Sequence, residues 1–275
     1  MKPMAFDYLR ADTLEEALEA LRQDGEDARV LAGGQSLIAM LNLRLVKPAV
    51  LIDISRLESL SYIREDGAMV EVGAATTQAE LLRWPGLAAK LPLLALALPH
   101  VGHYQTRNKG TVCGSIAHAD PSSELPLCLA LLGGEVVLRS ARGKRTLPAA
   151  QFQTGMLSTA RRADEIVTAV RFPRGGTGEG YAFTEMARRH GDLAVVAVAL
   201  KATRQTLRIA IGGVADRPTV RELPSPGEDG HDEALNALAW ELDAGDDIHA
   251  TARYRRELVR RLGRRMIDEA QSCLN

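Results

Sequence analysis

Residues 31–37 read LAGGQSL and lie between a predicted strand at residues 28–32 and a short predicted helix at residues 37–43. Two consecutive glycines, Gly33 and Gly34, allow the main chain to approach a phosphate closely, and the amides that follow can point at it. Ser36 adds a hydroxyl donor. The loop is neither GxGxxG nor GxxxxGK[ST], so the two usual nucleotide-binding loops are absent. The stretch is consistent with a plain turn or with a phosphate-binding loop.

A second stretch of small and hydroxylated residues follows later, reading TVCGSIAHADPSSELP at residues 111–126. One interpretation is a tight connection in which Asp120 and Pro121 mark a turn. The other is a second backbone cradle, with carboxylates nearby to bind ribose hydroxyls. Neither stretch identifies a ligand by itself.

Hydrophobic periodicity and turn residues outside these stretches predict an α+β protein with a boundary near residue 176. RGGTGEG at residues 174–180 has the composition of a linker. Further strands are predicted at residues 49–54, 69–73, 135–140, 166–172, 192–202 and 206–211, the last two as a pair. Further helices are predicted at residues 13–23, 77–82, 87–98, 231–243 and 247–271.

Bulk composition excludes several classes of protein. The 275 residues carry a formal net charge of -1, which gives no general attraction to nucleic acid or anionic membranes. No apolar run reaches the length of a membrane span, and the N-terminus lacks the apolar stretch of a signal peptide, so a cytoplasmic protein is predicted. The three cysteines, Cys113, Cys128 and Cys273, are far apart. A disulfide framework and a cysteine-based metal site are therefore disfavoured, and redox chemistry would need a bound organic cofactor.

Two further features invite functional interpretations that the sequence disfavours. His100, His103 and His118 lie near the second stretch but lack metal-ligand spacing, so no metal site is predicted. The arginine-rich segment at residues 253–265 could suggest nucleic-acid binding. An apolar stripe at i, i+4 spacing runs through the same segment and indicates a helix docked on a core. The stripe consists of Tyr254, Leu258, Leu262 and Met266.

The two glycine-centred stretches, at this spacing, resemble the FAD-binding subunit of the xanthine dehydrogenase and carbon monoxide dehydrogenase family. The DTLEEAL segment near the N-terminus, GDLA at residues 191–194 and IGGVADRPT at residues 211–219 fit the same family. The resemblance implies an FAD-binding domain of the vanillyl-alcohol-oxidase (PCMH) type at residues 1–175, in subdomains of about 1–58 and 59–175. A small C-terminal α+β domain would occupy residues 177–275.

The resemblance also implies which residues hold the cofactor, bound noncovalently. The first loop would lie at the pyrophosphate, the second would form another cradle, and residues 191–193 would approach the isoalloxazine ring. The implied FAD contacts are Leu31, Ala32, Gly33, Gly34, Gln35, Ser36, Leu37, Val101, Gly102, Thr111, Cys113, Gly114, Ser115, Asp120, Glu124, Val167, Thr184, Asp192 and Leu193. Relatives often carry glycine at Cys113, some carry lysine at Thr184, and others carry an aromatic residue at Leu193, so the flavin potential and acceptor are expected to differ. No catalytic or metal-binding residue is predicted.

Three hypotheses follow. The resemblance implies an electron-transfer subunit of a molybdenum hydroxylase, a dimer of heterotrimers whose large subunit binds molybdopterin and whose small subunit carries 2Fe-2S clusters. Electrons would pass from those clusters to FAD and then to an external acceptor, while the substrate pocket would lie on another chain. A stand-alone FAD-dependent oxidoreductase of the same fold would need its own substrate domain and a proton donor beside the flavin. A binding module that has lost its cofactor is the third, and the intact glycine loops argue against it.

Overall fold

A three-stranded parallel sheet forms the first unit of the computed structural model, which describes residues 2–274. Its strands run in the order β1-β3-β2, and helix α1 covers the sheet with an apolar face of four buried residues. Because the strands are parallel, β2 and β3 end at the same edge, where LAGGQSL begins. The elements are β1 (Asp7–Arg10), α1 (Leu14–Asp24), β2 (Ala28–Leu31), α2 (Leu37–Asn42) and β3 (Val50–Asp53).

The second unit is a five-stranded antiparallel sheet packed against short helices. Its strand order is β4-β5-β10-β6-β7, so the last strand of the unit is inserted at its centre. The strands are β4 (Ile63–Asp66), β5 (Met69–Gly73), β6 (Glu135–Ser140), β7 (Gly143–Pro148), the separate pair β8 (Gln153–Gly155) and β9 (Ser158–Thr159), and β10 (Ile166–Pro173). The helices are α3 (Gln78–Arg83), α4 (Leu87–Lys90), α5 (Pro92–Ala97), α6 (Tyr104–Arg107), α7 (Val112–His118), α8 (Glu124–Leu132) and α9 (Ala149–Phe152).

The third unit is a four-stranded antiparallel sheet in the order β11-β12-β13-β14, with β11 and β14 at its edges. One face packs on α5 and α8 of the second unit, and the other carries α11. Side chains alternate accordingly: Ala197 and Ala199 belong to the core shared with the second unit, whereas Val196 and Val198 face α11. The elements are β11 (Gly180–Met186), β12 (Val196–Ala202), β13 (Leu207–Gly212), β14 (Thr219–Leu223), α10 (His231–Glu241) and α11 (Ala252–Ser272).

The α+β class predicted from the sequence is confirmed, but three predicted elements differ from the observed ones by more than two residues. The single helix expected at residues 87–98 is broken at Leu91, because Pro92 disfavours a helical conformation in the residue before it. The strand expected from residue 192 begins at Val196. The last helix begins five residues later than expected, at Ala252, where the Thr251 hydroxyl caps it by accepting the Tyr254 amide.

The last helix buries most of the predicted stripe. Leu258, Leu262 and Met266 are buried, whereas Tyr254 is 46% exposed and is an error in that prediction. Arg255 is buried instead, and its guanidinium donates to Asp247 and to the Gly245 carbonyl. Within residues 2–274, no helix is both long enough and apolar enough to span a membrane.

Candidate functional site

The two glycine-centred stretches of the sequence lie against each other. A Cβ atom added to Gly33 would sit 2.2 Å from the carbonyl oxygen of Lys109 and 2.7 Å from the Cα atom of Gly110. Real Cβ atoms never approach other atoms so closely, so only glycine allows this contact. Gly33 therefore joins the first loop to the start of the second.

The first loop presents main-chain donors without partners. The amides of Gly33, Gly34, Gln35 and Ser36 donate no hydrogen bond to any atom within the described part of the chain. Gly34 has a φ of +70°, which is a conformation that glycine adopts without strain. A run of unpaired amides around such a residue is a cradle for an anion such as a phosphate.

Much of the second stretch forms helix α7, so it is not a tight connection throughout, although the turn expected at Asp120 and Pro121 is present between α7 and α8. Thr111 is the N-cap of α7, and its hydroxyl accepts the Gly114 amide at 3.0 Å. The Ser115 amide donates to the Thr111 carbonyl at 3.2 Å. A bridge between Thr77 and Thr111 fixes this helix start, since the Gln78 amide donates to Gly110 at 2.8 Å.

Cys113 turns its side chain away from the surface. Its thiol donates to the Val72 carbonyl at 3.4 Å, and burial raises the pKa of the thiol far above its usual range. The Cys113 amide, in the first turn of α7, has no hydrogen-bond partner among residues 2–274. Any contact of this residue with a cofactor is thus expected through the main chain.

Gln78 is a polar residue of this region that the sequence did not reveal. Its Oε1 atom is buried without a hydrogen-bond partner in the described chain and lies beside Gly110. Buried polar groups are normally satisfied, so an orphaned acceptor beside a glycine loop marks a place where a ligand donor fits. The capping box of Thr77 and Glu80 predicts where α3 starts but not where Gln78 points.

A third segment, at Val101 and Gly102, meets the loop that contains Gly191. A Cβ atom on Gly191 would lie 2.5 Å from the His103 ring, so this loop and that segment are in direct contact. Arg107 fixes the segment by donating to the carbonyls of Val101 and Gly102 at 2.9 and 3.0 Å. Asp192 and Leu193 are exposed at the tip of the loop, with Leu193 61% exposed.

Two acidic residues lie between α7 and α8. Asp120 accepts the Ser122 amide at 2.8 Å and forms a turn. Glu124 is buried at the start of α8, and burial, assisted by the charge of Asp120, raises the pKa of its carboxyl to about 7. A carboxyl with such a pKa is both a donor and an acceptor for hydroxyl groups near neutral pH.

The remaining predicted contacts are less accessible. Val167 is buried in β10 opposite Leu138. The Thr184 hydroxyl accepts from Arg265 of α11 at 2.5 Å, on the side of β11 that faces the helix. Glu185, the next residue, points to the opposite side, toward His100, and no motif in the sequence singles it out. Leu31, Ala32 and Leu37 are half-buried around the first loop.

One described cavity lies elsewhere. It has a volume of about 410 Å³, lies between α8 and α9 on one side and β13 and β14 on the other, and is lined mainly by apolar side chains together with Arg208, Arg217 and Arg221. None of the expected cofactor contacts lines this cavity. The loops give stronger evidence for the cofactor site than the cavity does, because their unpaired amides specify a ligand chemistry. No cluster of three or more His, Cys, Asp or Glu residues that could hold a metal ion occurs between residues 2 and 274.

Comparisons with known proteins agree on one family. Residues 4–175 match the family described as "FAD binding domain in molybdopterin dehydrogenase". The chain is 39% identical to the nicotine 6-hydroxylase medium subunit of Paenarthrobacter nicotinovorans over 98% of this chain and 99% of that protein. It is 34% identical to the glyceraldehyde dehydrogenase medium chain of Sulfolobus acidocaldarius, with 94% and 96% covered.

A solved structure extends the likeness to the whole fold. The carbon monoxide dehydrogenase of Hydrogenophaga pseudoflava, in a form that lacks the Mo-pyranopterin moiety of its cofactor, contains a chain that superposes with a TM-score of 0.95. The two chains are 32% identical, and 99% of each is covered.

Proposed function

This chain belongs to the FAD-binding subunits of the molybdopterin dehydrogenase family, and we propose that it transfers electrons within a three-subunit molybdenum hydroxylase. It is a flavoprotein subunit of a molybdenum-dependent oxidoreductase, with FAD on this chain and the molybdenum cofactor on a partner. In the proposed role, this chain receives electrons from 2Fe-2S clusters on a small partner subunit and passes them to an external acceptor. The cytoplasm is the proposed location, and a dimer of heterotrimers is the proposed assembly.

The observation that carries the proposal is the contact between the two glycine loops. Gly33 abuts Lys109 and Gly110, and the unpaired amides at Gly33–Ser36 and at Cys113 accompany that contact. A dinucleotide with two adjacent phosphates has the charge and the acceptor oxygens that such donors require. The orphaned Oε1 atom of Gln78 beside Gly110 adds an acceptor for a ligand hydroxyl or amino group.

FAD, when bound, supplies the ability to exchange electrons between one-electron carriers and a two-electron acceptor. The chain's own residues bind and orient it. In this proposal the amides of the first loop and of α7 hold the pyrophosphate, while Glu124 and Asp120 hold sugar hydroxyls. The Val101–Gly102 segment and the Gly191 loop enclose the ring. The cofactor-binding unit is proposed to span residues 1–175 and the C-terminal unit residues 177–275.

This chain is similar to subunits of enzymes with different substrates, which supports a substrate pocket on another chain. The relatives named above are subunits of enzymes for nicotine, glyceraldehyde and carbon monoxide, yet the identities of all three to this chain lie between 32% and 39%. A chain that shaped the substrate pocket would be expected to diverge with the substrate. We therefore assign substrate oxidation to the molybdopterin subunit and electron transfer to this one.

Co-purification and a flavin-free variant test the proposal. A tagged chain should bring down two further polypeptides, and acid should release free FAD from the complex. Gly34→Val should remove FAD, because a β-branched residue is strained at a φ of +70°. Gly245→Ala is the control, since a Cβ atom there meets nothing within 4 Å.

The reduced complex then distinguishes electron transfer from a structural role. The wild-type complex is first reduced with dithionite in the absence of oxygen. NAD⁺ and a soluble quinone are then added to separate samples, and at least one of these two acceptors should reoxidise the iron–sulfur clusters. In the flavin-free complex the clusters should stay reduced. Equal reoxidation with and without flavin would show that this subunit does not lie on the electron path.

A further inference from the structure

Glu185 is a buried carboxyl without a permanent cation beside it. Its side chain is 6% exposed, and its Oε2 atom has no hydrogen-bond partner in the described chain. Two other buried carboxylates of this protein are paired with arginine: Glu71 lies 2.7 Å from Arg64, and Glu165 lies 2.6 Å from Arg145. An acid that is buried without such a partner is costly when charged, so its presence calls for an explanation.

The ionisable groups around Glu185 come from two packed segments. The Nδ1 atom of His100, in the turn after α5, lies 3.5 Å from Oε1 of Glu185. Glu124 approaches from the start of α8. The cross-strand neighbour on β12 is Ala197, which carries no charge. Burial, with a contribution from Glu124, raises the pKa of Glu185 to about 8, so its carboxyl is protonated at neutral pH.

His100 connects this buried acid to the surface. Its side chain is 37% exposed. Its ring packs on Phe183 of β11, the strand that carries Glu185, with ring centroids 5.2 Å apart. Burial and the neighbouring His190 lower its pKa. The imidazole can therefore take a proton from water on one nitrogen and offer a proton to Glu185 from the other.

Both residues adjoin the segments that are proposed to enclose the flavin ring. His100 directly precedes Val101, and Glu185 lies at the end of β11 that leads into the Gly191 loop. The contact between Gly191 and the His103 ring joins these two segments. A path thus runs from solvent through His100 to a protonated, buried carboxyl beside the proposed site.

We propose that His100 and Glu185 form a proton relay that serves the flavin. The inference rests on FAD binding by this chain. Electrons arrive singly from iron–sulfur clusters and bring no protons, whereas two-electron reduction of a flavin to its anionic reduced form also adds one proton to a ring nitrogen. Glu185 gives up its O–H proton as that N–H bond forms, and the neutral imidazole of His100 then donates its Nδ1 proton to the carboxylate while its Nε2 atom takes a proton from solvent. The proton that reaches the flavin is thus replaced from solvent, and two electrons and one proton are accounted for.

The test uses the FAD-loaded complex and three variants. Glu185→Gln keeps the shape but cannot exchange a proton, and His100→Gln breaks the connection to solvent. Glu179→Gln is the matched control, because Glu179 lies just before the far end of β11 and is paired with Lys201 at 2.6 Å. Flavin reduction is followed by its absorbance after anaerobic mixing with dithionite, in water and in deuterium oxide.

We expect Glu185→Gln to slow flavin reduction at least about tenfold and to reduce its solvent isotope effect, since a positioned proton donor contributes a factor of this order or more. His100→Gln should also slow reduction, and added imidazole should restore it. Glu179→Gln should behave as the wild type. Infrared spectra give a readout independent of turnover: a protonated-carboxyl band that disappears as the pH passes about 8 should be missing in Glu185→Gln, whereas the band of Glu124, which disappears near pH 7, should remain.

The FAD content is measured first, because it distinguishes a failure of the proposed function from a failure of the proton relay. A wild-type complex without FAD would overturn the proposed function and the relay together. If Glu185→Gln holds FAD and is reduced at the wild-type rate, the relay is wrong and FAD binding stands. If Glu185→Gln fails to fold or to retain FAD, His100→Gln decides: an unchanged rate overturns the relay, and a slowed rate that imidazole restores supports it.

Discussion

At the scale of single residues, Gly33 gives the sharpest test of the cofactor site. Its φ is not positive, so alanine suits the backbone there, yet the added Cβ atom would lie 2.2 Å from the Lys109 carbonyl. Gly33→Ala should therefore force the two loops apart, weaken FAD binding at least about tenfold and cost roughly 1–3 kcal/mol of stability. Equilibrium dialysis of FAD and urea unfolding measure the two effects. Gly245→Ala should change neither, and an FAD affinity in Gly33→Ala equal to that of the wild type would refute the site.

Glu124 should make stability depend on pH in a defined direction. Its folded pKa is raised to about 7, so folding favours the protonated form. The stability linked to this group is complete below the ordinary carboxyl pKa of about 4.5 and is lost as the pH rises through 7. Above pH 7 the loss is about 3 kcal/mol.

Glu124→Gln isolates this effect in the FAD-free chain. The variant should lack that part of the pH dependence and should gain stability relative to the wild type as the pH rises from about 4.5 to about 7. Urea unfolding below and above this range measures the difference. Parallel pH profiles for the two proteins would mean that Glu124 is not a buried neutral acid.

At the scale of elements, α7 depends on its N-cap residue, Thr111. Thr111→Val removes the hydroxyl that accepts the Gly114 amide and should cost about 1 kcal/mol. The loss should also weaken FAD binding, because the cap fixes the turn that carries the free Cys113 amide. Thr111→Ser retains the acceptor and serves as the control. Equal urea midpoints for the valine and serine variants would contradict the capping role.

The sequence predicted elements with a regular pattern and missed those without one. Strand β6 has the predicted limits, because its hydrophobic residues follow a clear turn signal at Gly133 and Gly134. Helix α8 was missed because eight of its nine residues are buried, which leaves no amphipathic period to detect. Helix α7 contains Gly114 and Ser115, which are weak helix formers.

At the scale of the whole molecule, the third sheet and the second unit share one core. Ala199 is fully buried on the face that packs on the second unit. Ala199→Leu should overpack this interface and lower stability by about 1–3 kcal/mol. The shared core also predicts that fluorescence and circular dichroism report a single unfolding transition. Ala237→Leu, on the exposed side of α10, is the control, and an unchanged midpoint for Ala199→Leu would contradict the shared core.

The site itself could be predicted only in part. The glycine loops stand out along the chain, but the contact of Gly33 with Lys109 joins residues far apart in sequence, and no local pattern encodes it. The same holds for Glu185 and His100, which meet only when β11 packs on α5. The ligand could be predicted from the sequence only through the resemblance to a family. The unpaired Oε1 atom of Gln78 and the unpaired carboxyl of Glu185 became apparent only from the packing.

The fully buried helix α8 has a consequence for biosynthesis. About 80 residues separate its end at Leu132 from the end of β13 at Gly212, and β12 and β13 are what cover it. At 5–20 residues per second, a ribosome leaves this apolar helix without its cover for roughly 4–16 s. The growing chain thus passes through a stage at which chaperones would bind it. Loading of the flavin at the proposed site is then expected only after the Gly191 loop and the strands that end this exposure have emerged.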